Sequence, residues 1–231
     1  MNRVDLGVIT TLLRSPRTIA ESIQRGAMLR SIAAASIAAI LLGMGVYGGV
    51  VGSIRGGLQI TFAASKMPIV ALVSLSLLAP MLTGAASAFG IELKFARAAA
   101  LVLASTARAS LVLLALAPVV ALFATIVTDY HDQVMLATIG FGIAGLSGLS
   151  LLWHGIPAGA HRPVLAAFAL TGFAIVSAQS AWVLRPWVTR PQSAVTFLRA
   201  PEGNVGAEVV RTSFSSGGDY AGARAVGGGA R

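Results

Sequence analysis

Five stretches free of charged residues, 31–54, 67–91, 109–128, 133–153 and 163–184, constrain this chain more than any motif in it. Each lies near the length of about 20 residues that a helix needs to cross a hydrocarbon core of about 30 Å. Charged residues make up 11% of the whole, against about a quarter in soluble domains, and 56% is hydrophobic with a mean hydropathy of +0.82. The fold class this implies is all-α, a polytopic transmembrane helical bundle of about five spans. Arg108 alone interrupts an apolar run reaching from 98 to 128. One helix of that length would measure about 45 Å, too long for an upright crossing. The segment 98–107 is therefore expected to be a partly interfacial lead into a tilted third helix kinked at Pro118, with Arg108 snorkelling or meeting a partner. Splitting it into two spans is the alternative.

Four regions follow from this pattern: a basic amphipathic leader over 1–30, the five-helix domain over 31–185, an interfacial segment over 186–212, and a tail over 213–231. In the leader, Ser15 is placed to cap a helix with Pro16 at its first position, where the missing N–H costs nothing. That helix is expected to end near Gly26, with Ile19 and Ile23 on one face, and to lie on the membrane surface; a solvated leader is the alternative. The short run 6–13 lacks the form of a secretory signal and is expected to be retained. Gly, Ser and Ala dominate the tail beyond Ser213, which is too poor in apolar surface to form a core.

The net charge of +9 raises nucleic acid as a partner, but the 17 Lys and Arg are scattered over loops and span ends with no aromatic-studded basic face. Anionic lipid is the better counterpart. With the N-terminus cytoplasmic, the Lys and Arg counts are nine against eight; without the distant Arg3, Arg211, Arg224 and Arg231 they become eight against five. That count places Lys66 and Arg55 on the outer side, together with the acidic turn Asp129-Tyr130-His131-Asp132.

Small residues recur at four-residue spacing: Gly45, Gly48, Gly49 and Gly52 in the first span, and Gly140, Ala144 and Gly148 in the fourth. Such flat faces allow close helix approach in lipid, either within one chain or across a homo-oligomer. Arg108, Gln179 and Tyr47 are the candidate intramembrane polar residues. Pro68, Pro80 and Pro118 would kink or begin helices. Cysteine is absent, so no thiolate nucleophile and no Cys-based metal site exists. Asp129-x-His131-Asp132 is a thin metal motif, and His154 and His161 lack a third ligand. No carboxylate falls within the five runs, and no nucleophile and base occur together. The expectation is a non-enzymatic protein with no cofactor and no metal.

At the end of the last run, Trp182-Val183-Leu184-Arg185-Pro186-Trp187 reads as a span ending at a membrane surface. Arg185, Arg199 and Glu202 are expected to form a polar clamp that folds Phe197-Leu198 back onto that surface, with Trp182 and Trp187 beside it as partner or lipid contacts. Arg185 binding a lipid phosphate alone is the alternative. The leader SPRTIAESIQRG, the five-run plan, Tyr47-Gly48, Gly57-Leu58-Gln59, Lys66-Met67-Pro68 and the Trp182 to Asn204 stretch resemble bacterial Yip1-like multispan membrane proteins of unassigned activity. The resemblance implies the five-helix architecture and residence in the bacterial inner membrane. It does not bring the Rab-type partner of the eukaryotic proteins, whose acidic-Leu-x-Gly-Pro and Gly-Tyr motifs are missing. A scaffold or accessory to an unknown membrane-associated partner is the function expected; a small-solute or lipid transporter or channel is the alternative.

Overall fold

The computed structural model describes residues 6–54, 56–126 and 130–184, with backbone alone for 130–135, 138 and 178–184. The described residues all lie within one compact unit and contain no strand. They form α1 (Leu6–Arg14), α2 (Pro16–Gln24), α3 (Leu29–Ser53), α4 (Gln59–Ala88), α5 (Phe95–Ile126), α6 (Tyr130–Gly155) and α7 (Arg162–Leu184). Three of them, α3, α4 and α5, are long and apolar enough to cross a membrane. Shorter apolar stretches occupy Ile139–Gly155 of α6 and Arg162–Ser177 of α7.

Helix α3 packs on α4 and α5, α6 lies on α5, α7 on α4, and α2 on α6. Glycine sets how closely these helices approach. A Cβ on Gly48 would stand 2.6 Å from the Ala63 carbonyl oxygen, and one on Gly52 2.6 Å from that of Gln59. One on Gly148 would stand 2.7 Å from the Ser105 carbonyl oxygen. Backbone therefore meets backbone, the geometry that small residues permit in lipid. These pairings also show α3 antiparallel to α4, since Gly48 and Gly52 face Ala63 and Gln59 in reverse order.

Two helices end in the same device. The Ala27 N–H bonds the Ser22 carbonyl and that of Gly26 bonds Ile23; likewise Ile91 bonds Ala86 and Gly90 bonds Ser87. This is the Schellman pattern, which needs a left-handed residue at its centre, and Gly26 and Gly90 supply it with φ of 74° and 70°.

Three expectations need correction. First, α4 starts at Gln59 rather than 67, so Lys66 lies inside the helix, 3% exposed, and not in an outer loop. The glycine face of α3 continues to Gly52, and α4 extends far enough to pack along it. Second, the alternative of splitting this stretch into two spans falls away: α5 runs unbroken through Arg108, and Ala98, Leu101, Ala104 and Ala107 are fully buried against protein. Alanine at these points lets α3 and α6 close over the segment. Third, Ile19 and Ile23 of α2 are buried against protein, at 4% and 1% exposure, so the leader's apolar stripe does not face lipid. The run 6–13 is itself helical, and Leu12 sits fully buried in the same core. Of the expected acidic turn, Tyr130 already begins α6.

Candidate functional site

One set of polar contacts in the described bundle forms where the leader meets α5 and α6. Pro16 starts α2 and has no N–H, so the Leu12 carbonyl four residues earlier has no helical donor. Arg108 provides one from the middle of α5. Its Nη1 donates to the carbonyl oxygens of Leu12 at 2.7 Å and Leu13 at 2.9 Å, and its Nε donates to Ser147 Oγ on α6 at 2.9 Å. The guanidinium thus joins three helices. It also stands at the C-terminal end of α1, where the negative end of the helix dipole stabilises a cation. Ser147 lies about 12 Å along α6 from Gly155 at 1.5 Å per residue, so the joint is set well inside the bundle.

A second joint lies nearer the end. Gln24 of α2 donates from Nε2 to the carbonyl oxygens of His154 at 3.1 Å and Gly155 at 3.2 Å, which belong to the last turn of α6. Arg17 donates from Nε to His154 Nε2 at 3.2 Å, while His154 Nδ1 sits 2.6 Å from the Ser150 carbonyl oxygen. With Nε2 accepting from Arg17, Nδ1 is the ring nitrogen that donates to the Ser150 carbonyl oxygen. Beyond α6, Arg162 donates from Nε to the Trp153 carbonyl oxygen at 2.7 Å, and its Nη2 reaches the same atom. The guanidinium also lies over the Trp153 ring at 4.7 Å. His161 stacks on Phe89 with ring centroids 4.9 Å apart. The two histidines, seven residues apart in sequence, therefore serve different contacts.

Tyr47 is fully buried on α3; its hydroxyl donates to the Ala137 carbonyl oxygen at 2.8 Å, and its ring meets Phe141 edge-on at 5.1 Å. Gly140 lies directly against that hydroxyl, leaving no room for a Cβ, and Ala144 is buried one turn on. Gly45 and Gly49 face Ala64 more loosely, at 3.6 and 3.8 Å for an added Cβ. Tyr47 and Arg108 are not brought together. They meet α6 at residues 137–140 and 147, about two turns apart. The side chains of Gln179 and Trp182 lie outside the described residues, as do Arg185, Trp187, Arg199 and Glu202, and with them the expected clamp. Among the described residues, no three His, Asp or Glu side chains come together as metal ligands.

Sequence reasoning missed Gly43, whose Cα lies against the Ser110 backbone, and Gly155, which abuts Leu101. It also missed Gln24 and the role of α1. Pro16 standing four residues after Leu12 was the available signal. No protein-family model, no curated protein and no solved structure matches the chain. Fold and site together define a helical membrane protein whose leader is bonded into its bundle.

Proposed function

We propose that the chain is a non-enzymatic integral membrane protein that serves as scaffold or accessory to a membrane-associated partner. In this reading it has the five-crossing, Yip1-like plan and sits in the bacterial inner membrane with its N-terminus cytoplasmic. The observation that carries it is the use made of Arg108. The one charge interrupting the third apolar run bonds carbonyls and a serine hydroxyl that hold helices together. Tyr47 and Gln24 are engaged in the same way. Such contacts build a firm platform, and they direct polar side chains toward other helices rather than toward a path for solute. The charges support the orientation: Arg14, Arg17, Arg25, Arg30, Lys94, Arg97 and Arg162 lie on the leader, in the α4–α5 connection or in the first turns of α5 and α7, at the leader's end of the bundle. Lys66, now inside α4, no longer counts for the other side.

Purification in mild detergent tests the function. A partner recovered in fixed ratio with the wild type, and lost from Glu202→Ala while the bundle stays folded, supports a scaffold with a partner contact beyond α7. A chain that purifies alone and moves solute across proteoliposomes overturns the reading in favour of a transporter. Reporter fusions after Arg30, at Asp132 and after Arg211 test the crossings; the last two on opposite faces would exclude five.

A further inference from the structure

We propose that Arg97, with Lys94, Arg25 and Arg30 around it, binds the phosphate of an anionic phospholipid where α3 and α5 enter the membrane at the leader's end of the bundle. Arg97 carries the argument. Its guanidinium lies along Gly26, the left-handed residue that closes α2: a Cβ built on that glycine would stand 3.5 Å from Nη2 and 3.6 Å from Nε. The side chain is half-buried there. Arg17, Arg108 and Arg162 are engaged, with His154, with the carbonyls of Leu12 and Leu13, and with the carbonyl of Trp153. Among the described residues nothing accepts from Arg97. A guanidinium partly withdrawn from water, with its fork of donors unused, suits an oxyanion that takes two parallel bonds, as phosphate does.

The surrounding charges add to this. Lys94 lies one turn before Arg97 and accepts its backbone N–H, Arg25 adjoins Gly26, and Arg30 stands in the first turn of α3; all three side chains are exposed. The carboxylates nearest in sequence are Glu92, two residues before Lys94, and Glu21, one turn before Arg25, both exposed. Four cations against two carboxylates leave a positive surplus. A headgroup with no cation of its own gains most from that surplus, so the site selects anionic over zwitterionic lipid.

The apolar neighbours make the ligand a lipid rather than a soluble anion. Gly43 of α3 lies against Ser110 of α5 as Gly26 lies against Arg97, so α3 and α5 run the same way and both begin at this end. Both are long and apolar enough to cross a membrane. Met28, immediately before α3, and Phe95, the first residue of α5, are each 57% exposed. Met28 is held at φ 54°, a backbone conformation uncommon for a residue other than glycine. Two apolar side chains beside a group of cations fit the boundary between headgroups and acyl chains. The inference rests on membrane residence and holds whether the bundle is a scaffold or a transporter.

Native mass spectrometry of the purified chain in mild detergent, titrated with phosphatidylglycerol or phosphatidylcholine of matched acyl chains, tests the site. Wild type is expected to bind phosphatidylglycerol the more tightly and to keep it in excess inorganic phosphate. Arg97→Gln should lose about fivefold in that affinity, and Arg97→Lys, which keeps the charge without the fork, should lose less. Met28→Asn suits the left-handed backbone and removes the apolar side chain, so it should weaken both lipids alike. Arg14→Gln removes a cation at the end of α1 that Arg108 holds, about 16 Å along α5 from Arg97, and should bind as wild type does. If circular dichroism shows Arg97→Gln unfolded, the exposed pair Arg25→Gln and Lys94→Gln takes its place with the same expected loss of preference. Equal affinity for the two lipids, or a loss in Arg14→Gln equal to that in Arg97→Gln, overturns the site. Displacement of the lipid by inorganic phosphate overturns it in favour of a soluble anion, and an acidic protein released by Arg97→Gln with lipid binding unchanged overturns it in favour of a protein contact.

Discussion

Replacing Gly48 by alanine isolates the force that holds this bundle together. An added Cβ would lie 2.6 Å from the Ala63 carbonyl oxygen and 2.9 Å from Met67 Cγ. Met67 can swing aside, but Ala63 O belongs to the backbone of α4. Reaching even the tight end of ordinary contact, 3.4 Å, requires α3 and α4 to part by about 0.8 Å. Overpacking of this kind costs about 1–3 kcal/mol. Against it stands the better helix propensity of alanine, about 1 kcal/mol per residue. Gly142 on α6 provides the reference, because its added Cβ meets nothing within 4 Å. Gly142→Ala carries the propensity gain alone, so the difference between the two variants cancels that gain and leaves the steric part. Unfolding in mixed micelles of rising dodecyl sulfate content, followed by circular dichroism, should place Gly48→Ala about 1–3 kcal/mol below Gly142→Ala. Equal stability of the two would mean that α3 and α4 are not in backbone contact, and the account of the bundle would fail.

Two further outcomes follow. Arg108→Met removes three hydrogen bonds of a charged donor, each typically contributing about 1.5–3 kcal/mol, and should raise amide hydrogen exchange in α1 while leaving α3 and α4 protected; unchanged exchange in α1 would refute the joint. Tyr47→Phe keeps the contact with Phe141 and loses only the bond to Ala137, so its cost should be about 0.6–1.5 kcal/mol in the same micelle titration, and a loss of several kcal/mol would show that the hydroxyl does more than join α3 to α6.

How far the sequence reaches depends on the range of the interactions concerned. Helix positions were legible because a charge-free run of about 20 residues has few other uses, and α3, α6 and α7 begin and end within three residues of the expected runs. Helix α4 was misjudged at its start because Lys66 looked like a loop charge, whereas its stem and ammonium are buried within the protein. Helix α1 was overlooked for a different reason. Its apolar run was weighed only as a secretory signal, and Thr10 and Thr11, whose hydroxyls bond back to the carbonyls of Leu6 and Gly7, fit the apolar helix it forms. His154 and His161, which lack a third ligand, are sent apart because the chain turns between them, one ring going to α2 and the other to Phe89.

Arg108 shows where local reading stops and tertiary structure begins. Its interruption of an apolar run marked it at once as unusual, since a cation at that depth needs acceptors. The acceptors come from 96 and 95 positions upstream and 39 downstream, and no periodicity links those sites. Pro16 completes the arrangement by denying the Leu12 carbonyl its helical donor, which leaves that oxygen available to the guanidinium. The leader and the bundle are therefore mutually dependent. Without α1, Arg108 loses two of its acceptors; without Arg108, the end of α1 is left with unsatisfied carbonyls against an apolar core that includes Leu12 itself. A boundary near residue 30 separates the charge-rich from the charge-poor part of the sequence, but the packed core crosses it.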